Sequence, residues 1–292
     1  MIQNRQSLLT QVPCTCGELF QGTLDGQPCL VSCPIDVYST ARIGTVADGD
    51  PTDGRRKVVR ALGWVARHTG REIGVAIDNP LPVGRGYGTS TADIGAALFA
   101  ASEELDFALT AWQASQIAAQ IEPTDSTLFP GLALFDHRGA RFQVPLGSTP
   151  PARVIILDPG GVVDSEGFNA QDWHNALARL APQHRSAFQL LQQGVAEGDL
   201  LAIGEAATLS AVCHQAILDN PLVARVAALA KQLGAAGICR AHSGTLVGLI
   251  FPIDYDCASA AHFLSQNLPV VVRISHALLT GGGAMHDVVP EN

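Results

Sequence analysis

The sequence predicts an α+β fold arranged in two halves, and three observations carry that reading. Strand-like and helix-like segments alternate along the chain, a proline-containing break falls near the middle, and the composition is that of a packed globular protein. Hydrophobic residues make up 47% of the 292 and charged residues 15%, which supplies a sizeable core. The break is "GSTPPAR" at 147–153, dividing the chain into an N-terminal half, 1–148, and a C-terminal half, 149–292.

The elements follow in order. Residues 28–46 mix β-branched and apolar residues between turn signals and read as strands. Residues 55–69 place Val58, Val59, Leu62, Val65 and Ala66 on one helical face, and Gly70 suits the left-handed position after a helix. A short strand, 72–78, ends at Asn79-Pro80. Ile94, Ala97, Leu98, Ala101 and Leu105 then repeat at helical spacing, and 110–121 is a further helix with Thr110 as N-cap. Residues 131–146 read as a hairpin about Arg138-Gly139. Beyond the break come a strand at 153–158, helices near 170–193, 199–213 and 221–234, and strands at 245–251 and 269–274.

The stretch "LPVGRGYGTST" (81–91) stands between a strand and a helix. Glycines let a backbone approach an anion and turn its N–H groups inward, and a helix N-terminus adds unpaired donors and a partial positive charge. Two common phosphate-loop patterns fail here: no lysine follows the glycines, and the third glycine comes one residue early for G-x-G-x-x-G. On this local pattern alone, a plain glycine-rich turn before a buried helix stays open.

The net charge of −9 argues against a nucleic-acid binder but not against a nucleotide substrate. No run approaches the ~20 apolar residues of a membrane span, and "MIQNRQSLLTQVPC" lacks the apolar core of a signal peptide. The seven cysteines are therefore expected as reduced thiols in a cytoplasmic protein. The spacing of Cys14, Cys16, Cys29 and Cys33 matches zinc knuckles poorly.

Four segments in order, "VPCTCGELFQG" (12–22), "PVGRGYGTS" (82–90), "EPTDSTLFPGLALF" (122–135) and "RAHSGTLVGLIF" (240–251), resemble the GHMP kinases, the family of galactokinase, homoserine kinase and mevalonate kinase. P-x-G-x-G-x-G-[ST]-S, here Pro82, Gly84, Gly86, Gly88, Thr89 and Ser90, is similar to the family's second motif. "VPCTCGELFQG" (12–22) resembles the first motif, in the variant carried by the L-threonine kinases of cobalamin biosynthesis. "EPTDSTLFPGLALF" (122–135) resembles a central segment of those kinases, and "RAHSGTLVGLIF" (240–251) their third motif. The resemblance implies an N-terminal α+β domain like that of a small-subunit ribosomal protein, a ferredoxin-like C-terminal domain, and ATP in the cleft between them.

It also implies roles. Pro82, Gly84, Arg85, Gly86, Gly88, Thr89 and Ser90 would form the ATP-phosphate loop, with Ser90 at the family's Mg²⁺-binding hydroxyl. Of the two carboxylates in "EPTD", Glu122 suits Mg²⁺ and Asp125 suits a base for the acceptor hydroxyl. Glu18 and Gln21 would meet the ammonium and carboxylate of an amino-acid substrate, and Ser243 with Gly244 a turn facing the phosphates. His242, beside them, reads as structural. Many members carry a cation in the first motif where this chain has Thr15, which leaves Arg42 and Arg85 as candidate partners of Asp125 and a base-free mechanism open.

The implied function is ATP- and Mg²⁺-dependent phosphorylation of a small hydroxyl compound, L-threonine above others. Rival readings are a GHMP kinase for another alcohol, such as homoserine, a non-catalytic nucleotide or metabolite sensor, and an NAD-binding oxidoreductase, which the glycine spacing disfavours. "TGGGAM" (280–285) is a candidate mobile segment or a C-terminal surface turn.

Overall fold

The computed structural model describes residues 6–44, 53–164, 167–168 and 171–290. Its architecture is mixed α/β, built on one ten-stranded antiparallel sheet. The first strand, β1 (Gln6–Leu24), turns at Asp25-Gly26, both at positive φ, into β2 (Gln27–Ile43). Positive φ at both turn residues is the hairpin connection that matches strand twist. Neither β1 nor its length follows from a simple strand pattern, because Pro13 and Gly17 interrupt it. The structure tolerates both through register shifts between Pro13 and Thr15 and between Thr15 and Glu18.

Next come α1 (Asp53–Thr69), β3 (Val75–Asp78), α2 (Thr89–Leu105) and α3 (Ala111–Ala119). Gly70 takes φ 71° after α1, and Thr110 caps α3 in a reciprocal box with Gln113, both as the sequence predicts. The predicted strand at 72–78 begins three residues later, at Val75, where pairing with Ile43 starts. The hairpin falls on β4 (Leu132–Phe135) and β5 (Gln143–Gly147).

The second half supplies β6 (Ala152–Asp158), α4 (His174–Glu197), α5 (Leu200–Cys213), α6 (Leu222–Leu233), β7 (Gly237–Arg240), β8 (Val247–Pro252), α7 (Cys257–Asn267), β9 (Arg273–Leu279) and β10 (Met285–Pro290). The strand expected at 269–274 lies mostly beyond that range, because Val270 and Val272 are solvent-exposed and the paired residues start at Arg273. The "TGGGAM" stretch is docked: the amides of Gly282 and Gly283 donate to the carbonyls of Gly131 (2.8 Å) and Thr127 (2.8 Å), and β10 then pairs with β1.

Strand order is β10-β1-β7-β8-β6-β9-β2-β4-β5, with β3 on β2 and a direct β1–β2 pairing. Single bridges, Glu18 opposite Arg240 and Ile35 opposite Leu279, join strands of the first half to strands of the second. One core cluster draws on both halves, with Phe20, Leu98, Val154 and Ile250 among its members, and a second comes from residues after β6 begins, such as Ile155, Val226 and Phe251. The buried helix α2 leans on the sheet, so its N-terminus is fixed rigidly where β1, β3 and the β7–β8 turn meet. All seven cysteines are buried and free. Among the described residues, no helix is long and apolar enough to cross a membrane.

Candidate active site

The loop between β3 and α2 has a defined polarity. Gly84, Gly86 and Gly88 sit at φ 77°, 101° and 64°, a region that strains any other residue type. Those dihedrals turn the carbonyls into the protein. Gly84 O accepts from the Val163 amide (3.1 Å) and Arg85 O from Thr245 (2.9 Å) and Leu246 (3.2 Å). Gly86 O accepts from Gly17 (3.2 Å) and Tyr87 O from Thr15 (2.8 Å). Among the described residues, the amides of Gly84 to Gly88 donate no backbone hydrogen bond in return. A loop whose acceptors are all used and whose donors are free, opening onto an uncapped helix N-terminus at Gly88, is an anion cradle.

The cradle forms one wall of a cleft of about 560 Å³. The same cleft is lined by Thr89, Ser90, Glu122, Asp125, Glu18 and Ser243, so the structure brings six of the sequence-predicted residues together with the loop glycines. Ser90 Oγ hydrogen-bonds Glu122 Oε1, and Lys57 Nζ pairs with Glu122 Oε2 at 2.6 Å. A hydroxyl and a carboxylate at the end of a phosphate cradle are hard oxygen donors of the kind Mg²⁺ takes when phosphate oxygens complete its shell.

Asp125 opens the short helical turn Ser126–Leu128. Its amide donates to Thr91 Oγ1 (3.0 Å), which in turn meets Thr124 Oγ1 (2.8 Å). A Cβ built on Gly88 would lie 2.8 Å from Asp125 Oδ2 and 2.9 Å from Thr15 Oγ1, so the carboxylate rests directly on the end of the loop. Burial, then the Glu122 charge, raises the Asp125 carboxyl to about 6. Glu18, on β1, is buried beside it. Burial first, and the Asp125 charge second, push its carboxyl well above the usual range, and its Oε2 has no hydrogen-bond partner.

Pro82, Arg85, Gln21 and Gly244 do not line the cleft. Arg85 turns the other way: its Nη1 pairs with Asp158 Oδ2 at 2.8 Å, where the buried carboxylate also accepts from the Gly160 amide (2.8 Å). Gly244 packs against the Arg85 carbonyl and locks the loop from behind. Gln21 is buried, with Nε2 donating to the Arg240 carbonyl (3.3 Å) and Oε1 meeting His242 Nδ1 (2.9 Å). Arg42 is exposed on β2 opposite Ala76, outside the cleft.

Lys57 and Tyr87 line the cleft unanticipated by the sequence. Lys57 belongs to a helix whose charged face looks like any solvated face, and its partner is 65 residues away. No local signal marks it.

The GHMP kinases N terminal domain family matches residues 56–129. The L-threonine kinase of Salmonella typhimurium (strain LT2) is 34% identical over 249 residues, covering 83% of this chain and 82% of that protein. The crystal structure of homoserine kinase from Cytophaga hutchinsonii superimposes with a TM-score of 0.67 at 16% identity, over 98% of both chains. A structure of MDDEF in complex with MVAPP, AMPPCP and magnesium does so with a TM-score of 0.69 at 14% identity, over 97% of this chain and 99% of that one. With a cradle, a carboxylate pair and an L-threonine kinase relative matched over most of its length, this chain belongs to the GHMP kinase family.

Proposed function

We propose that the protein is an ATP-dependent L-threonine kinase, making O-phospho-L-threonine for the aminopropanol linker of cobalamin. The observation that supports this most is the single cleft in which free loop amides, Ser90–Glu122 and Asp125 stand side by side. The 34% identity to an L-threonine kinase supports the choice of acceptor.

In this reading the amides of Gly84 to Ser90 bind the ATP phosphates, and Ser90 Oγ with Glu122 would hold Mg²⁺. The metal would supply neutralisation of charge on the phosphate oxygens. Asp125 takes the proton of the threonine hydroxyl while that oxygen bonds to the terminal phosphorus, the bond to the bridging oxygen breaks, and ADP leaves. Lys57 holds Glu122 in place. Thr15 and Glu18 stand next to Asp125. The division into domains 1–148 and 149–292 belongs to the same reading, and the core cluster drawn from residues after β6 begins supports it.

The test is ADP release with ATP, Mg²⁺ and a panel of L-threonine, L-serine, homoserine, mevalonate and galactose. Threonine-dependent turnover is the expected result. Turnover with another alcohol alone replaces the acceptor, and nucleotide binding with no turnover makes the protein a sensor.

A further inference from the structure

His242 lies in the turn between β7 and β8 and lines the cleft with Glu18 and Ser243. Its ring is packed edge-on against His137 (centroids 4.9 Å apart, 69°) and Phe168 (5.4 Å, 86°), and tilted against His214 (5.0 Å, 35°). Three imidazoles in contact repel one another if more than one is charged. Burial depresses all three: His137 is lowered to about 3, and His214 and His242 fall well below their ordinary value. His137, Arg138 and Arg240 add to the effect on His242.

Hydrogen-bond partners fix where the protons sit. Gln21 Nε2 donates to the Arg240 carbonyl, so Gln21 Oε1 is the atom facing His242 Nδ1 at 2.9 Å. An amide oxygen only accepts, so Nδ1 carries the hydrogen and Nε2 carries a lone pair. His214 Nε2 meets the His242 carbonyl at 2.8 Å and donates to it, which anchors the turn. No protein donor reaches His242 Nε2 among the described residues, nor is it a buried orphan.

This end of the cleft therefore presents acceptors in Asp125 and the imidazole Nε2, beside a Glu18 carboxyl whose burial favours its protonated form, donating to Asp125. Lys57, the lysine of the cleft, is engaged with Glu122 at the loop end. A site lined by acceptors fits a ligand group that only donates. We propose that His242 Nε2 accepts a hydrogen bond from the ammonium group of the acceptor amino acid, making His242 a specificity-determining residue and Gln21 the positioning residue that sets its tautomer. The proposal rests on the amino-acid kinase reading above. It moves Gln21, whose amide is fully used, from substrate contact to a place behind the contact.

The experiment compares L-threonine with 3-hydroxybutyrate, which keeps the hydroxyl and the carboxylate but lacks the ammonium. The KM for L-threonine, kcat, and the inhibition constant of 3-hydroxybutyrate are measured for wild type, His242→Leu, His242→Gln and Gln21→Leu. His242→Leu is expected to raise the KM for L-threonine roughly 10- to 100-fold, the range for a hydrogen bond to a charged group. Affinity for 3-hydroxybutyrate and the KM for ATP stay within about twofold. His242→Gln, which keeps an acceptor, recovers much of the loss, and Gln21→Leu shows a smaller loss in the same direction. An equal loss for both ligands, or no loss in His242→Leu, overturns the proposal while leaving the kinase reading intact. Wild-type enzyme that phosphorylates neutral alcohols but not L-threonine overturns the amino-acid reading and this proposal with it.

Discussion

The two ends of the cleft are made of different material. The loop end is backbone: five carbonyl hydrogen bonds, three left-handed glycines and a helix start produce a cradle, and Lys57 beside it is paired with Glu122. The other end is made of side chains brought from β1, the Asp125 turn and the β7–β8 turn, each set by a partner far away in sequence. A backbone cradle tolerates side-chain change but not loss of glycine. A side-chain pocket can be retuned one residue at a time.

Four substitutions test that contrast, in falling order of expected effect. Asp125→Asn should lower kcat by about 10²- to 10⁴-fold, the usual worth of a positioned base. Because the Asp125 carboxyl is raised to about 6, the base form exists above that value. In the wild type kcat/KM should therefore fall about tenfold per pH unit below about 6, and the asparagine variant should lack that limb. A rate close to wild type in Asp125→Asn would favour a base-free mechanism. Gly86→Ala strikes the other end: its Cβ would collide with Ala241, and φ 101° adds strain of about 1–3 kcal/mol. Binding of an ATP analogue, measured by calorimetry, should weaken about tenfold or more, with the acceptor site unchanged.

Arg85→Met separates the loop's scaffold from its ligand. It leaves Asp158 buried without its cation, and the side chain of Arg85 is 28% exposed, so a loss of roughly 1–3 kcal/mol in unfolding free energy is expected. The KM for ATP should stay within about threefold, a shift below ~0.7 kcal/mol. A large rise in that KM with unchanged stability would show that the guanidinium reaches phosphate. Lys57→Met should have the smallest effect, a severalfold rise in the KM for ATP through a less well-held Glu122, since the pair, 22% and 17% exposed, opens onto the cleft and solvent-reached pairs contribute about 0–1 kcal/mol.

The same contrast governs what the sequence reveals. The glycine loop and its place before a helix are legible because the pattern is local: glycines, hydroxyls and a helix start lie within ten residues. Glu122 and Asp125 are legible for the same reason. Gln21–His242 and Arg85–Asp158 are not, because their partners are 221 and 73 residues apart and a solitary polar residue carries no sign of its partner. Strand β1 is hidden by Pro13 and Gly17, and the docked C-terminal segment by its glycines, which read as a turn but serve close approach to Thr127–Gly131. The exposed valines at 270 and 272 mislead in the opposite direction, since an apolar run need not be a paired one.

The Arg85 carbonyl has a consequence in time. Its donors are the amides of Thr245 and Leu246, and β1 waits for β10 to pair with its first residues. A ribosome delivers the glycine loop early, but the groups that aim it emerge only near the end of synthesis. The nascent chain thus carries the glycine loop long before its carbonyls can be held, and contacts so distant in sequence make for slow closure. Only near the end of translation do the groups that aim the loop become available.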